Sequence, residues 1–308
     1  MRPHRSDRYP SLVTPESRTG PSGGAAVMAV LAGLAFVAVF FHVGRTLVAD
    51  WATDDNYSHG FLVVPVALFV AWERRQALRA AAARPSVLGL AVIVGSLLLL
   101  GAGTLGAEMF LTRVAMIGVL AGVVLFAFGW AHLRLLAFPL AFLLLMVPLP
   151  ALLFNQVALP LQLLASQVGE AGLEAFGVPV LREGNVMVLA NTTLEVAEAC
   201  SGIRSLVSLL TLGIVYAYMM DSRGWVRWLL ALSTVPIAVL TNGLRVAGTG
   251  IAAHRYGPEA AEGFLHGFSG WLVFVAALAL LFALREIVNF ISPDSPVAPA
   301  VPARPASA

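Results

Sequence analysis

The chain has one thiol, Cys200, in the run Glu198-Ala199-Cys200-Ser201-Gly202-Ile203-Arg204, where a long connection gives way to an apolar helix. A lone thiol has no internal disulfide partner, and a thiol at a helix N-terminus beside a guanidinium is pushed toward thiolate. That setting makes Cys200 the candidate nucleophile. Without such help a thiol, with an ordinary pKa of about 8.5, holds only a minor thiolate fraction near neutrality.

Two later segments bring further ionisable groups to the same side of the chain's apolar spans. Arg245 lies in Thr241-Asn242-Gly243-Leu244-Arg245, near the end of one apolar span, and His266 precedes the last span, in Leu265-His266-Gly267-Phe268-Ser269-Gly270-Trp271. A charge within a spanning helix is disfavoured by roughly 2.5 to 3.5 kcal/mol on insertion scales, which marks it as a functional candidate. In the catalytic reading Cys200 attacks a carbonyl, His266 takes the thiol proton and returns it to the leaving amine, and Arg245 stabilises thiolate or oxyanion. Backbone N–H groups after Cys200, at the helix start, add to the oxyanion site. His266 serves either as proton shuttle or as oxyanion donor, and His254 competes for the role. Arg204, one helical turn after Cys200, either biases the thiol, binds a substrate carboxylate, or pairs with Glu198 or Glu195. Singly each residue has a structural explanation: a cysteine filling an apolar gap, an arginine snorkelling or pairing with Glu262, an interfacial histidine. The combination points to catalysis.

The surrounding composition sets the solvent. Of 308 residues 59% are hydrophobic and 12% charged, with a mean hydropathy of +0.85, values that belong to a polytopic membrane protein. The net charge is +2, the pI is about 9.0 and all 19 basic residues are arginine. Because they are scattered among connecting loops, no nucleic-acid partner is expected. Eight segments are long enough to cross, or nearly cross, a hydrocarbon core: Ala25 to Phe41, Gly60 to Trp72, Val87 to Thr104, Val114 to Trp130, Leu135 to Phe154, Gly202 to Met220, Val226 to Ala247 and Phe268 to Leu284. The second is short and is expected to extend back through Tyr57-Ser58-His59. Pro65, Pro139, Pro148, Pro150 and Pro236 are expected as kinks.

Orientation follows from the arginines, since cytoplasmic loops retain positive charge. With the N-terminus inside, only Arg45, Arg113, Arg182, Arg204, Arg245 and Arg255 fall outside, and the other thirteen of the 19 fall inside. Both termini are therefore expected in the cytoplasm, with Ala25 to Phe41 kept as a helix and not cleaved as a signal peptide. Residues 1–24 and 291–308 read as disordered tails flanking one transmembrane domain, 25–290. The longest connection, Asn155 to Ser201, is expected outside. Its first part suits an amphipathic helix at the membrane surface. Its second alternates apolar stretches with Glu183-Gly184-Asn185 and Asn191-Thr192-Thr193 turns, as a β-hairpin does, and would deliver Cys200 to the outer surface. The fold class is all-α, with about eight transmembrane helices, a short outer hairpin and an interfacial helix.

Val196-Ala-Glu-Ala-Cys200-Ser-Gly-Ile-Arg204-Ser-Leu, followed by Asn242-Gly-Leu-Arg245 and His266-Gly-Phe-Ser-Gly-Trp271, resembles the exosortase/archaeosortase family of integral-membrane sorting enzymes. Asn56-Tyr57-Ser58-His59-Gly60 and Val178-Pro-Val-Leu-Arg182-Glu-Gly-Asn185-Val are also similar, and the likeness runs from about Trp51 to Phe290. The resemblance implies a Cys200, Arg245, His266 active site at the outer face of the cytoplasmic (inner) membrane. It implies substrates that are exported proteins ending in a Pro-Glu-Pro type motif, a helix and a basic cluster, a PEP-CTERM tail. Cleavage near the motif would pass the new carboxyl end to water, an amine, or a surface glycan or lipid acceptor, with membrane lipids as surroundings. Arg204, Glu198, Tyr57, His59 and Asn242 are the expected substrate contacts. Asp54 and Asp55 lie beside Tyr57 and His59 in the sequence, but without a fixed ligand spacing no metal site is expected, and no cofactor. Some relatives carry a further periplasmic domain linked to exopolysaccharide production; here Phe290 is followed by a Pro/Ala-rich stretch, so such a partner would be a separate protein. A transporter or assembly factor for envelope polysaccharide, in which Arg204, Arg245 and His266 line a path for an anionic lipid-linked sugar, is the alternative.

Overall fold

A computed structural model describes residues 23–190, 192–195, 203–257 and 264–293, without the side chains at 25, 195, 203–205 and 264–267. The described chain is mostly helical, with one small sheet. It forms two units: Met1–Arg45, whose described part is the start of the first helix, and Thr46–Ala308, which contains the rest.

The helices are α1 (Gly23–Thr53), α2 (Gly60–Glu73), α3 (Arg75–Ala80), α4 (Leu88–Leu105), α5 (Met109–Phe128), α6 (Trp130–Phe142), α7 (Ala151–Ala175), α8 (Ile203–Met220), α9 (Gly224–Tyr256) and α10 (Phe264–Ile291). Among the described residues six helices are long and apolar enough to cross a membrane: α1, α4, α5, α7, α9 and α10. Gly60–Glu73, Trp130–Met146 and Leu206–Met220 are shorter apolar helices. Where eight spans were expected, the described residues thus hold six helices of spanning length and three shorter apolar ones.

Two differences from the sequence expectation have local causes. Leu135 to Phe154 is not one span, because α6 and a 3-10 turn end at Met146 and α7 begins only at Ala151. The residue before a proline is driven out of the helical region, and in Val147-Pro148-Leu149-Pro150 that rule applies twice; Val147 stands at φ −89°, ψ 118°. The second short span does not reach back through Tyr57-Ser58-His59 either. Residues 54–59 form turns, closed by Tyr57 N–H to the Asp54 carbonyl at 3.0 Å and Gly60 N–H to the Tyr57 carbonyl at 2.8 Å.

The first part of the long connection is helical as expected, but its small and polar stripe is not turned to water. Gln162, Ala165, Ser166, Gly169 and Leu173 of α7 are buried, and this stripe meets α9. A Cβ added at Gly169 would stand 2.9 Å from Val246 Cγ1, one at Gly172 2.7 Å from Ala247 Cβ, and one at Gly243 would overlap the Val168 side chain. In lipid, apolar side chains gain little by leaving the solvent, so helices associate through close packing at small residues. The α7–α9 seam is such a contact.

The expected hairpin is present and carries a third strand. β1 (Val180–Glu183), β2 (Val186–Leu189) and β3 (Thr193–Glu195) form an antiparallel sheet in that order, with Glu183 opposite Val186 and Met187 opposite Leu194. A two-residue turn, Gly184-Asn185, joins β1 to β2, and Gly184 takes φ +66°, which glycine adopts without steric penalty. Val178, Met187 and Leu189, joined by Leu194, pack on Leu173 of α7 and on Val246 and Ile251 of α9. The sheet is thereby seated on the same helix pair.

If the seam sets the position of α9, Gly243→Ala should lower the thermal midpoint of the detergent-solubilised chain. Overpacking costs about 1 to 3 kcal/mol, and Val168→Ala in the same chain should recover most of the loss. A Gly243→Ala chain as stable as the parent would contradict the seam.

Candidate active site

Arg245 is carried by α9, whose 33 residues run from Gly224 to Tyr256. Its Nε donates to Ser269 Oγ on α10 at 3.1 Å. One residue on, a Cβ at Gly270 would lie 3.6 to 3.9 Å from the guanidinium atoms, so the arginine head rests against a bare glycine. Position 266 is three residues before Ser269 and four before Gly270. On a helix those spacings share a face, so His266 belongs, by register, to the stripe of α10 that receives Arg245.

The start of α8 approaches the same level. A Cβ at Gly213 would stand 2.7 Å from Thr234 Cγ2; Ala217 packs with Val226 and Leu230, and Leu206 and Leu209 pack with Ala238. Moving back along α8 therefore moves forward along α9. Ten residues back from Gly213 is Ile203 and ten on from Thr234 is Leu244, and helices of equal rise keep such levels matched. From the other side, Leu194 of β3 reaches Gly250, where an added Cβ would lie 3.2 Å from Leu194 Cδ1. The chain leaves β3 near Gly250 and enters α8 level with Leu244, and Arg245 lies between those two levels.

Cys200 and Glu198 fall in residues 196–202, outside the described residues. Arg204 stands in the first turn of α8, and His266 in the first turn of α10, by backbone alone. Glu262, the alternative partner for Arg245, is also outside the described residues. Asn242 is buried on α9, one turn before Arg245 and on its side of the helix. His254 is exposed nine residues after Arg245. Nine residues turn a helix through about two and a half turns and advance it about 13 Å, so His254 projects from the opposite side of α9.

Tyr57 and His59 belong to a different set of contacts. His59 is buried, and its Nε2 donates to the Leu145 carbonyl at 3.0 Å. The Tyr57 ring lies 6.3 Å from those of His59 and Phe154. Burial pushes the Tyr57 phenol up and the His59 imidazole down from its ordinary value. Beneath them Trp51 Nε1 donates to the Met146 carbonyl at 2.9 Å, and Arg113 pairs with Asp50. These residues hold the non-helical run before α7. Among the described residues no three His, Cys, Asp or Glu side chains are grouped to hold a metal ion.

Sequence reasoning missed two participants. Ser269 was legible only as a hydroxyl three residues after His266. The Arg113–Asp50 pair joins residues 63 apart and left no local signal.

A multi-pass membrane protein with an arginine held between two helices, beside the entry to a third, is the class that fold and site define. The family model for transmembrane exosortases (Exosortase_EpsH) matches residues 51–283, and the chain belongs to that family of membrane sorting enzymes. Neither the curated proteins nor the solved structures hold a match to it.

Burial holds the His59 imidazole neutral to lower pH than usual. A group held neutral by the fold contributes stability that is complete above its unfolded pKa, near 6.5, and is lost as pH falls toward the folded value. The thermal midpoint of the solubilised chain should therefore drop between pH 7.5 and 5.5, and His59→Gln should flatten that drop. A midpoint that rises on acidification would contradict the packed, neutral His59.

Proposed function

We propose that the chain is a membrane-embedded cysteine endopeptidase and transpeptidase, which cleaves PEP-CTERM-type C-terminal sorting signals of exported proteins at the outer face of the cytoplasmic membrane. Family membership across residues 51–283 supports the reaction class. The observation that carries the assignment of residues is the Arg245–Ser269 bond, which ties the arginine to the helix face of position 266.

In this reading the Cys200 thiolate attacks the scissile carbonyl, and the carbonyl electrons move onto oxygen. Arg245 and the backbone N–H groups at the start of α8 stabilise that oxyanion. As the tetrahedral intermediate collapses, the C–N bond breaks, and His266 delivers to the leaving amine the proton it took from sulfur. The thioester then passes its acyl group to water, an amine or a surface acceptor, and the thiol is regenerated. Asn242, Arg204 and Glu198 fall to the substrate side. Tyr57 and His59 act by fixing the segment that leads into α7.

The substrate's tail helix would lie among the enzyme's helices, its basic end toward the cytoplasm and its motif toward the thiol, bound by intramembrane packing. The arginine asymmetry of the loops supports cytoplasmic termini. Residues 25–290 act as the working domain.

Co-expression with a tail-bearing substrate tests the proposal. Cys200→Ala and Arg245→Ala should each abolish processing with the enzyme's abundance unchanged. Ser269→Ala, which removes one anchor of the guanidinium, should slow processing by about tenfold, as loss of a charge-assisted hydrogen bond of roughly 1.5 kcal/mol does. Normal processing by Cys200→Ala would falsify the proposal. Dependence on the arginines alone would favour transport of an anionic sugar.

A further inference from the structure

At the end of the bundle that holds the α8–α9 turn, two cavities adjoin. One, of about 370 Å³, is polar and is lined by Arg74, Tyr218, Arg227, Glu73 and the Asp221-Ser222 turn. The other, of about 520 Å³, is apolar and opens between α6, α8 and α9, against Phe138, Phe142, Leu145, Ile214, Trp228 and Ala231. Tyr218 and Arg227 line both.

Tyr218 organises the junction. Its ring stacks on Phe138 with centroids 3.4 Å apart. The Arg74 and Arg227 guanidinium carbons lie 5.5 and 4.8 Å from its centroid. Arg74 Nη2 donates to the Tyr218 hydroxyl at 2.6 Å, while Arg227 donates from Nε to the Asp221 carbonyl and from Nη2 to the Tyr218 carbonyl. These bonds aim both heads but employ only part of their donors. Among the described residues neither arginine is ion-paired. The Asp221 carboxylate is committed to Arg223 through Nη2 at 2.6 Å and Nε at 2.9 Å, and those hydrogen bonds hold it below the usual carboxylate range. Glu73 is the remaining carboxylate, and it is exposed. Two cations thus face one anion that is free to turn to water.

The depth of the site decides what kind of anion fits. Trp72, Trp225 and Trp228, exposed at 57%, 55% and 72%, ring this end of the molecule. Exposed tryptophans in a membrane protein gather at the level of lipid headgroups. Arg74 follows Trp72 by two residues, and Arg227 sits between Trp225 and Trp228. A phosphate at that level would meet guanidinium donors, which bind phosphate oxygens in forked pairs, and the chain attached to it would run into the apolar groove.

We propose that this double cavity is a binding site for one anionic phospholipid, its phosphate between Arg74 and Arg227 and an acyl chain against Phe138, Ile214 and Trp228. The lipid would join α2 to α6, α8 and α9 at the end of the bundle opposite Arg245. The site is independent of the peptidase reading.

Native mass spectrometry of the full chain, released from detergent after exposure to phosphatidylglycerol or phosphatidylcholine, tests it. One phosphatidylglycerol per chain should be retained, with a raised thermal midpoint, and phosphatidylcholine should not. Arg74→Gln and Arg227→Gln should each reduce retention about tenfold, as loss of a charged hydrogen bond does. Ala231→Trp, which fills the groove and leaves both arginines in place, should reduce it as well. Equal retention of the two lipids, or parent-like retention by a well-folded Arg74→Gln chain, would overturn the proposal. So would inorganic phosphate alone reproducing the shift in midpoint.

Discussion

The close approach of α7 and α9 is the constraint on which the rest of the larger unit depends. Where Gly169, Gly172, Gly243 and Gly250 fall, the facing side chains come near enough that even a methyl group would collide or press against them. In lipid that proximity is itself the source of attraction, because each pair of atoms in contact gains only about 0.1 to 0.2 kcal/mol and many must meet at once. The consequences run outward. The seam seats the sheet on Leu173 and Val246, it directs β3 to Gly250, and it holds the turn of α9 that carries Asn242 and Arg245.

Two arginines inside helices show two uses of a charge in an apolar setting. Arg113 is buried and meets the Asp50 carboxylate close to the packed Trp51 and His59. There the ion pair fastens α5 to the end of α1. Arg245 is bonded to a serine hydroxyl and lies over Gly270, at the level where β3 hands the chain on toward α8. The opposite end of the bundle uses its arginines differently again, with Arg223 closing the α8–α9 turn on Asp221 and Arg74 and Arg227 gathered on Tyr218.

Much of this was legible in the residues. Long apolar runs bounded by arginine-bearing loops gave the helices, and the Glu183-Gly184-Asn185 signal gave the first hairpin because glycine is what a positive φ requires. The break at Val147-Pro148-Leu149-Pro150 was misread as a kink because each proline alone is tolerated in a membrane helix, whereas two at this spacing are not. Gln156, Gln162, Gln167, Glu170 and Glu174 suggested an amphipathic helix at the membrane surface, yet Gln162 is buried beside Ser166 and Gly169. Small and polar side chains also serve as the contact face between helices in lipid, and only the position of α9 separates those readings. Of the candidate site, Arg245 was readable from order along the chain, whereas His266, expected ahead of the last span, falls inside α10 because that helix begins at Phe264. Ser269 as the partner was not readable, since nothing in a sequence distinguishes a serine facing an arginine from one facing lipid.

The central claim is that Cys200, Arg245 and His266 share one patch. A thiol-directed photo-crosslinker of short reach tests it directly, because Cys200 is the chain's single cysteine and labelling is therefore unambiguous. Irradiation followed by peptide mapping should recover links from Cys200 to the α9 segment around Leu244 to Gly248 and to the α10 segment around His266 to Gly270. Links confined to other helices, or to lipid alone, would contradict the account.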